Sequence, residues 1–251
     1  MFFRTKRTTM LRVNLPSGID LHCHLLPEAD DGARHISDSL EIIRFMKLQG
    51  LRGAVCTPHI SSTYPHNTRY SLRTGFNTLL QAARVDGLDI TELTAAEAEA
   101  PAESFGLYLA AEYMLDRTFL KHLAAPKQLL AIPEPLVNQT SEFSARRYLL
   151  IELPQYLLPD NWRDMLDSVL SIGFIPLLAH PERYHALLTE SELLELHENG
   201  IHFQGNLGSL TGLYGKEAQY LALSFKNRGL YNAWGTDTHS ADMLRRIAAQ
   251  L

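Results

Sequence analysis

Short apolar runs alternate with amphipathic stretches along the whole chain, and this alternation limits its possible folds more than any other feature. Repeated βα units around a parallel sheet or barrel produce such a pattern. Seven of the runs are bounded by Gly, Pro or polar residues, as short buried strands are, and they cover residues 19–23, 53–57, 107–111, 148–153, 174–179, 201–206 and 230–236. The sequence therefore predicts an α/β fold with seven strands.

Amphipathic helices are predicted between these strands. The clearest begins at a Ser37 cap and ends at Gly50, because both its start and its stop are signalled. Four more are predicted over 72–84, 160–171, 190–198 and 216–226, and the alanine- and glutamate-rich stretch 94–103 is predicted to be an exposed helical excursion. No Pro-rich or Gly-rich linker divides the 251 residues, so we expect one domain with a flexible basic N-terminus over residues 1–15.

The composition argues against several classes of protein. The formal net charge of -5 gives no basic surface for stable nucleic-acid binding. The two cysteines, Cys23 and Cys56, are too few for a disulfide framework and predict free thiols in a cytoplasmic protein. The sequence contains no signal peptide and no run of about 18 apolar residues, so neither secretion nor a transmembrane segment is expected.

The first predicted strand carries an HxH motif. Side chains two residues apart on a strand share a face, so His22 and His24 can bind one metal ion. Potential ligands also end or follow most of the other strands, where the active sites of βα barrels gather: Asp31, His59, Glu112, Glu152, His180, Asp237 and His239. Each of these residues taken singly is also typical of a rim or solvent-facing position, but together they predict a metal centre.

The types of ligand narrow the choice of metal. Imidazole together with carboxylate favours Mn, Fe or Zn over Mg and Ca. Nine groups exceed the needs of one ion, which predicts two or three ions about 3.5 to 4 Å apart and a metal-bound hydroxide that attacks a phosphoester. Arg183 offers a guanidinium group to the phosphate, and Arg245 and Arg69 are weaker candidates for a second phosphate contact.

Seven short motifs give this sequence a resemblance to a known family. They are Asp20-Leu-His22-Cys-His24 with Asp30-Asp-Gly32, Thr57-Pro-His59, Ala111-Glu112-Tyr113, Ile151-Glu152-Leu153, Ala179-His180-Pro-Glu-Arg183-Tyr184, Asn206-Leu-Gly-Ser-Leu210 and Gly235-Thr-Asp237-Thr-His239. With these motifs the sequence resembles, over nearly its whole length, the PHP (polymerase and histidinol phosphatase) superfamily. Within that superfamily it is similar to the bacterial manganese-dependent protein-tyrosine phosphatases of capsule and exopolysaccharide synthesis.

The resemblance implies a distorted (β/α)7 barrel with Mn2+ as its cofactor. It puts the family's metal ligands on the same nine residues, with Glu112 chosen over the similar Glu97 motif, and a phosphate-contacting arginine on Arg183. Asp31, His59 and Arg183 are accordingly expected to act in catalysis. The implied substrate is a phosphotyrosine protein, such as the tail of a bacterial tyrosine autokinase.

The sequence also bears on four other functions. A cysteine-based tyrosine phosphatase needs Cys-x5-Arg, but Ala29 and Ser62 stand where Cys23 and Cys56 would require arginine. A phosphatase for a small phosphomonoester such as histidinol phosphate would use the same ligands, and a non-catalytic regulatory module would keep the metals without turnover. A nuclease-like domain is disfavoured by the acidic charge balance.

Overall fold

The computed structural model describes residues 15, 18–94, 104–138 and 145–251. Within these residues the strands are Ile19–Cys23 (β1), Gly53–Cys56 (β2), His59–Ile60 (β3), Ile90–Glu92 (β4), Phe105–Leu109 (β5), Glu112–Met114 (β6), Ile132–Pro133 (β7), Arg147–Glu152 (β8), Ile175–Ala179 (β9), His202–Asn206 (β10) and Tyr231–Gly235 (β11). The α-helices are Ile36–Leu48 (α1), Arg69–Val85 (α2), Phe119–Leu123 (α3), Glu134–Asn138 (α4), Trp162–Ser171 (α5), Glu190–Glu198 (α6), Leu207–Leu210 (α7), Lys216–Asn227 (α8) and Ala241–Ala248 (α9).

The strands form a mixed α/β fold with parallel sheets. One sheet has the order β1-β2-β5-β4 and the other the order β11-β10-β9-β8-β6-β3, with β7 antiparallel to β8. Only short interruptions separate β2 from β3 and β5 from β6, so both chain segments pass from the first sheet into the second. A parallel bridge joins Cys23, the last residue of β1, to Thr238, just after β11. It connects the β1 edge of the first sheet to the β11 edge of the second.

All seven predicted strands are confirmed, with ends displaced by up to two residues. The short strands β3, β4, β6 and β7 were not predicted. Pro58 explains the first of them, because a proline has no N–H for a sheet hydrogen bond and divides one run into β2 and β3. No described helix has both the length and the apolar character that crossing a bilayer requires.

The five clearest predicted helices are also confirmed, as α1, α2, α5, α6 and α8. The prediction of Ser37 as the cap of α1 is wrong, because His35 caps that helix and the Asp38 carboxylate accepts hydrogen bonds from the backbone N–H groups of Arg34 and His35. The predicted excursion over 94–103 lies outside the described residues apart from Thr94. The predicted basic N-terminus lies outside them apart from Leu15.

The apolar core consists of two clusters, and the smaller one lies beneath the polar side chains at the strand ends. The larger cluster fills the space between the strands and the surrounding helices. The smaller one includes Tyr148 and Leu150 of β8, and Glu152 follows on the same strand face. The smaller cluster therefore forms an apolar floor, and the polar side chains stand above it at the carboxyl ends of the strands.

A buried carboxylate ties β1 to β11. Asp20 is fully buried and accepts hydrogen bonds from the Thr236 backbone N–H at 2.9 Å and the Thr236 hydroxyl at 2.5 Å, as well as from the His22 backbone N–H at 3.2 Å. The Asp237 N–H donates to the His22 carbonyl at 2.7 Å just beyond. This contact sets the relative position of two metal-ligand candidates on different strands.

We expect Asp20→Ala to lower the free energy of unfolding by about 3 kcal/mol or more, because it leaves three buried donors without an acceptor. Urea denaturation with and without a chelator measures this change. Asp160→Ala, at an exposed aspartate, is the matched control and should shift the midpoint little. Equal effects of the two variants would contradict the assigned role of Asp20.

Candidate metal centre

Four side-chain atoms converge above β1 and β11. The Nε2 atoms of His22 and His24 lie 3.3 Å apart. Each of these nitrogens also lies 3.2 to 3.4 Å from Glu112 Oε2 and from Asp237 Oδ1. The edge of a tetrahedron around an ion with ligands at about 2.0 to 2.1 Å is about 3.3 to 3.4 Å, so the four atoms have the spacing of a metal site.

Two further groups of potential ligands adjoin the first. His59 lies with its Nδ1 3.2 Å from Glu112 Oε2 and 3.7 Å from Glu152 Oε2. His24, Asp31, His59 and His239 form the other group, in which Asp31 Oδ1 lies 3.6 Å from His59 Nε2 and 3.5 Å from His239 Nε2. The three groups share members, with His24, His59 and Glu112 each in two of them, which suits a multinuclear centre.

His180 reaches the same place by an unusual backbone conformation. Its Nε2 atom lies 3.4 Å from Glu112 Oε1 and 3.8 Å from Glu152 Oε1. His180 and Asp237 have φ angles of 34° and 52°, in the left-handed region that non-glycine residues seldom adopt. Such strain persists where the surrounding structure fixes it, often at functional sites. The structure thus brings all nine predicted ligands together, and their coordination of metal stays a prediction.

Two side chains that the sequence did not single out orient the first histidines. Gln204 Oε1 accepts from His22 Nδ1 at 2.7 Å, and Asp30 Oδ2 accepts from His24 Nδ1 at 2.8 Å. These contacts put the proton on Nδ1 and leave the Nε2 lone pair directed at the centre. Asp30 is next to Asp31 in the Asp-Asp-Gly motif, so the sequence contained a signal for its role. No sequence motif pointed to Gln204.

Several buried polar atoms at this place make no hydrogen bond to the part of the chain that the structure describes. Among the described residues, His59 Nδ1, Glu112 Oε1 and His180 Nδ1 are buried without a hydrogen bond. An unsatisfied buried polar atom costs about 1 to 3 kcal/mol, and three together in one cluster are uncommon. Metal ions would satisfy two of these atoms as ligand atoms, and the nitrogen and oxygen donors fit Mn, Fe or Zn. The residues present therefore fit a bound metal centre.

Protonation of the centre without metal is set by burial and by crowded charges. Burial opposes the charge on His22, but the carboxylates of Glu112 and Asp237 outweigh it and raise the pKa of His22 to about 9. Burial and the same two carboxylates raise the pKa of Glu152. Burial and the nearby Arg183 lower the pKa of His180 to about 4. At neutral pH the metal-free centre therefore holds protons that metal binding must displace.

We expect Mn2+ binding to release at least one proton per chain at pH 7. His22 with a pKa of about 9 is protonated there, and a ligand nitrogen must be neutral, so affinity should rise about tenfold per pH unit for each proton released, up to about pH 9. Calorimetric titration in two buffers of different ionisation enthalpy counts the protons. Identical heats in both buffers would contradict protonation of the metal-free ligands.

Arg183 borders the centre from one side. Its Nη1 donates to Asp237 Oδ2 at 2.8 Å, and its guanidinium carbon lies 4.3 Å from the centre of the Tyr214 ring. Asn206 Nδ2 donates to the same carboxylate oxygen at 3.2 Å. Glu182, next to Arg183 in sequence, is fully buried and accepts from the Asn206 N–H and the Tyr231 hydroxyl instead. Arg183 is thus held in place with donors left for an anion.

The two weaker arginine candidates are already engaged by other partners. Arg245 is exposed on α9, where its guanidinium is already paired with Glu41 and Asp242. Arg69 donates to the backbone carbonyl of Lys127 at the start of α2. Contacts of either residue with a substrate stay predictions. Arg183 differs from both because it borders the centre through its bond to Asp237.

The two cysteines are free and buried, as predicted. Cys23 donates from Sγ to the Val55 carbonyl at 3.2 Å. Burial raises the pKa of both thiols, to about 12 for Cys56. A nucleophilic cysteine needs a lowered pKa, so neither residue is suited to attack phosphorus.

This arrangement defines an α/β protein with a histidine- and carboxylate-rich candidate metal site at the carboxyl ends of parallel strands. Residues 18–247 match the family model for capsular polysaccharide synthesis, CpsB/CapC, and the chain belongs to that family.

Named relatives and one solved structure agree with this membership. The tyrosine-protein phosphatase YwqE of Bacillus subtilis is 29% identical over 223 residues, which cover 88% of this chain and 77% of the relative. The putative tyrosine-protein phosphatase CapC of Staphylococcus aureus is 25% identical with the same coverage. A crystal structure from work on YwqE and on CpsB of Streptococcus pneumoniae, described as unique metal-dependent tyrosine phosphatases, superposes with a TM-score of 0.69 at 27% identity, covering 88% of this chain and 79% of that one.

Proposed function

We propose that this chain is a metal-dependent protein-tyrosine phosphatase that acts in capsule or exopolysaccharide synthesis without a cysteine nucleophile. The proposal rests on the three overlapping groups of potential ligands around Glu112. Residues of these groups line a pocket of about 460 Å3 together with Arg183. A phosphoryl group entering this pocket meets metal ligands and a guanidinium together. Membership of the CpsB/CapC family supports the biological setting.

The metal part of the proposal is a centre of two or three Mn2+ ions, with Fe or Zn as alternatives. The nine ligand candidates are His22, His24, Asp31, His59, Glu112, Glu152, His180, Asp237 and His239. The mixed nitrogen and oxygen donors support a borderline metal. When bound, the ions supply a water of lowered pKa as nucleophile and neutralise charge on the phosphoryl oxygens.

The chain's own residues hold and orient the reactants. Arg183 donates to a phosphoryl oxygen while its bond to Asp237 fixes its direction. Hydrogen bonding to His239 lowers the pKa of Asp31, so this carboxylate stays ionised and acts as a ligand rather than as a proton donor. Burial lowers the pKa of His59, which therefore offers a neutral nitrogen. The predicted catalytic contribution of Asp31 and His59 is thus to hold metal.

We further propose that the two sheets belong to one distorted (β/α)7 barrel of the PHP type, formed by a single domain. The passage of two segments between the sheets and the contacts of β1 with β11 support closure of the ring. The order around the ring would be β1, β2 with β3, β5 with β6, β8, β9, β10 and β11.

The proposed substrate is phosphotyrosine on a protein, such as the tail of a tyrosine autokinase. The experiment is hydrolysis of a phosphotyrosine peptide beside histidinol phosphate, with Mn2+ and with chelator. Preference for the peptide, lost in chelator and unaffected by iodoacetamide, is the expected result. Preference for histidinol phosphate would show that the substrate is a small phosphomonoester instead of phosphotyrosine. If folded, metal-loaded protein hydrolysed neither compound, the result would favour a regulatory module.

A further inference from the structure

The mouth of the pocket has an aromatic edge that the proposed chemistry does not use. The pocket is lined by ligand candidates and Arg183, and also by the half-buried Tyr64 and the exposed Tyr156. Tyr156 lies in the loop after β8, which begins directly beyond Glu152. Tyr156 is therefore only four residues along the chain from the ligand candidate Glu152, and both residues line the same pocket.

Tyr156 is unusually open to solvent for a large side chain. Its exposure is 90%, and that of the next residue, Leu157, is 80%. A second cavity of about 250 Å3 is also lined by Tyr156, together with Glu152 and Arg183. Tyr156 therefore stands between two openings that both reach Arg183, and its ring is free to cover a ligand held there.

Tyr64 gives the pocket a second aromatic surface. Its ring stacks on His59 with centroids 5.8 Å apart and an angle of 2° between the planes. His59 itself is held beside Glu112 and Asp31. Tyr64 is thus ordered by the metal centre, whereas Tyr156 has no ring partner among the described residues.

The rest of the pocket is lined mainly by uncharged side chains. Apart from the ligand candidates and Arg183, the lining residues are Ser61, Ser62, Thr63, Tyr64, Met114, Asp116, Pro154, Gln155 and Tyr156. Asp116 is the one carboxylate among them, and its oxygens already accept from the Ser62 N–H and from the N–H and hydroxyl of Thr118. A neutral phenyl ring would find aromatic surface here at Tyr64 and Tyr156.

We propose that Tyr156 is a specificity-determining residue that packs against the phenyl ring of the phosphotyrosine side chain and makes the site prefer aryl over alkyl phosphates. This inference rests on the proposed function. Aromatic packing of one exposed ring is expected to change the affinity for an aryl ligand about fivefold to tenfold, with no effect on the phosphoryl group itself.

The test compares two non-hydrolysable ligands, phenylphosphonate and ethylphosphonate, on the manganese-loaded full chain. Their dissociation constants are measured by calorimetry for the wild type, Tyr156→Ala and Tyr156→Phe. Tyr220→Ala is the matched control, because Tyr220 is 67% exposed on α8 and lines neither opening. Metal content and circular dichroism establish that each variant is folded.

Tyr156→Ala is expected to raise the dissociation constant of phenylphosphonate about fivefold to tenfold and to change that of ethylphosphonate by less than about twofold. It should also raise KM for a phosphotyrosine peptide while kcat is retained. Tyr156→Phe and Tyr220→Ala should resemble the wild type. Equal affinities of Tyr156→Ala and the wild type for phenylphosphonate, or equal losses for both ligands, would overturn the inference. Absence of turnover in the wild type would instead count against the proposed function, and the binding measurements would still decide the role of Tyr156.

Discussion

Replacing Glu112 with glutamine is expected to lower kcat for a phosphotyrosine peptide by about a thousandfold or more. Glu112 Oε2 lies within 3.4 Å of ring nitrogens of His22, His24 and His59, and Oε1 lies 3.4 Å from His180 Nε2. Loss of its charge removes the carboxylate shared by two ligand groups. Metal ions stabilise a phosphoryl transition state by several kcal/mol, and about 4 kcal/mol corresponds to a thousandfold change in rate.

The matched control for this variant is Glu134→Gln. Glu134 begins α4 at the opposite end of β8 from the centre, since Pro133 pairs with Arg147 where β8 starts. Bound metal is measured together with turnover for both variants. Glu112→Gln should retain fewer ions per chain than Glu134→Gln, and wild-type activity with full metal content in Glu112→Gln would contradict the proposed role of Glu112 in holding metal.

Arg183→Ala is expected to reduce kcat/KM for the same peptide by about 10² to 10³-fold. The variant removes a fixed donor to the phosphoryl group and also the partner of Asp237 Oδ2 at 2.8 Å. Arg183→Lys should recover only part of this loss, because an ammonium group cannot keep the Asp237 contact and also present a planar pair of donors. Steady-state kinetics across a range of Mn2+ concentrations separate a loss of substrate binding from a loss of metal.

Arg228→Ala is the control for general loss of positive charge. Arg228 pairs with Glu190 on the surface at 3.2 Å, away from the pocket lining, and its removal should change kcat/KM less than about twofold. An equal effect of Arg183→Ala and Arg228→Ala would show that Arg183 makes no specific phosphate contact.

Much of the fold and of the site was open to prediction because the informative residues carry their own local signals. A buried strand is a short apolar run, and the HxH spacing predicts that His22, in β1, and His24, directly after it, point to the same side. The ligand candidates on other strands then follow from the rule that the carboxyl ends of parallel strands meet. Gly50 likewise marks the end of α1.

Other features depend on contacts that local sequence does not encode. Gln204 orients His22 from 182 positions away, so only the paired strands bring the two together. The left-handed φ angles of His180 and Asp237 are fixed by the surrounding structure, because a non-glycine residue seldom adopts that conformation without such support. Tyr156 lies in a loop without hydrophobic periodicity, and its position between two cavities is visible only in three dimensions.

The most direct test of the metal-dependent phosphatase is a titration of chelator-treated protein with Mn2+, in which bound metal and release of phosphate from a phosphotyrosine peptide are followed together. We expect no turnover in the metal-free protein and the onset of activity as two or more ions bind per chain, with His22→Ala failing to reach that occupancy. Undiminished phosphate release from protein shown to be free of metal would contradict the proposed function.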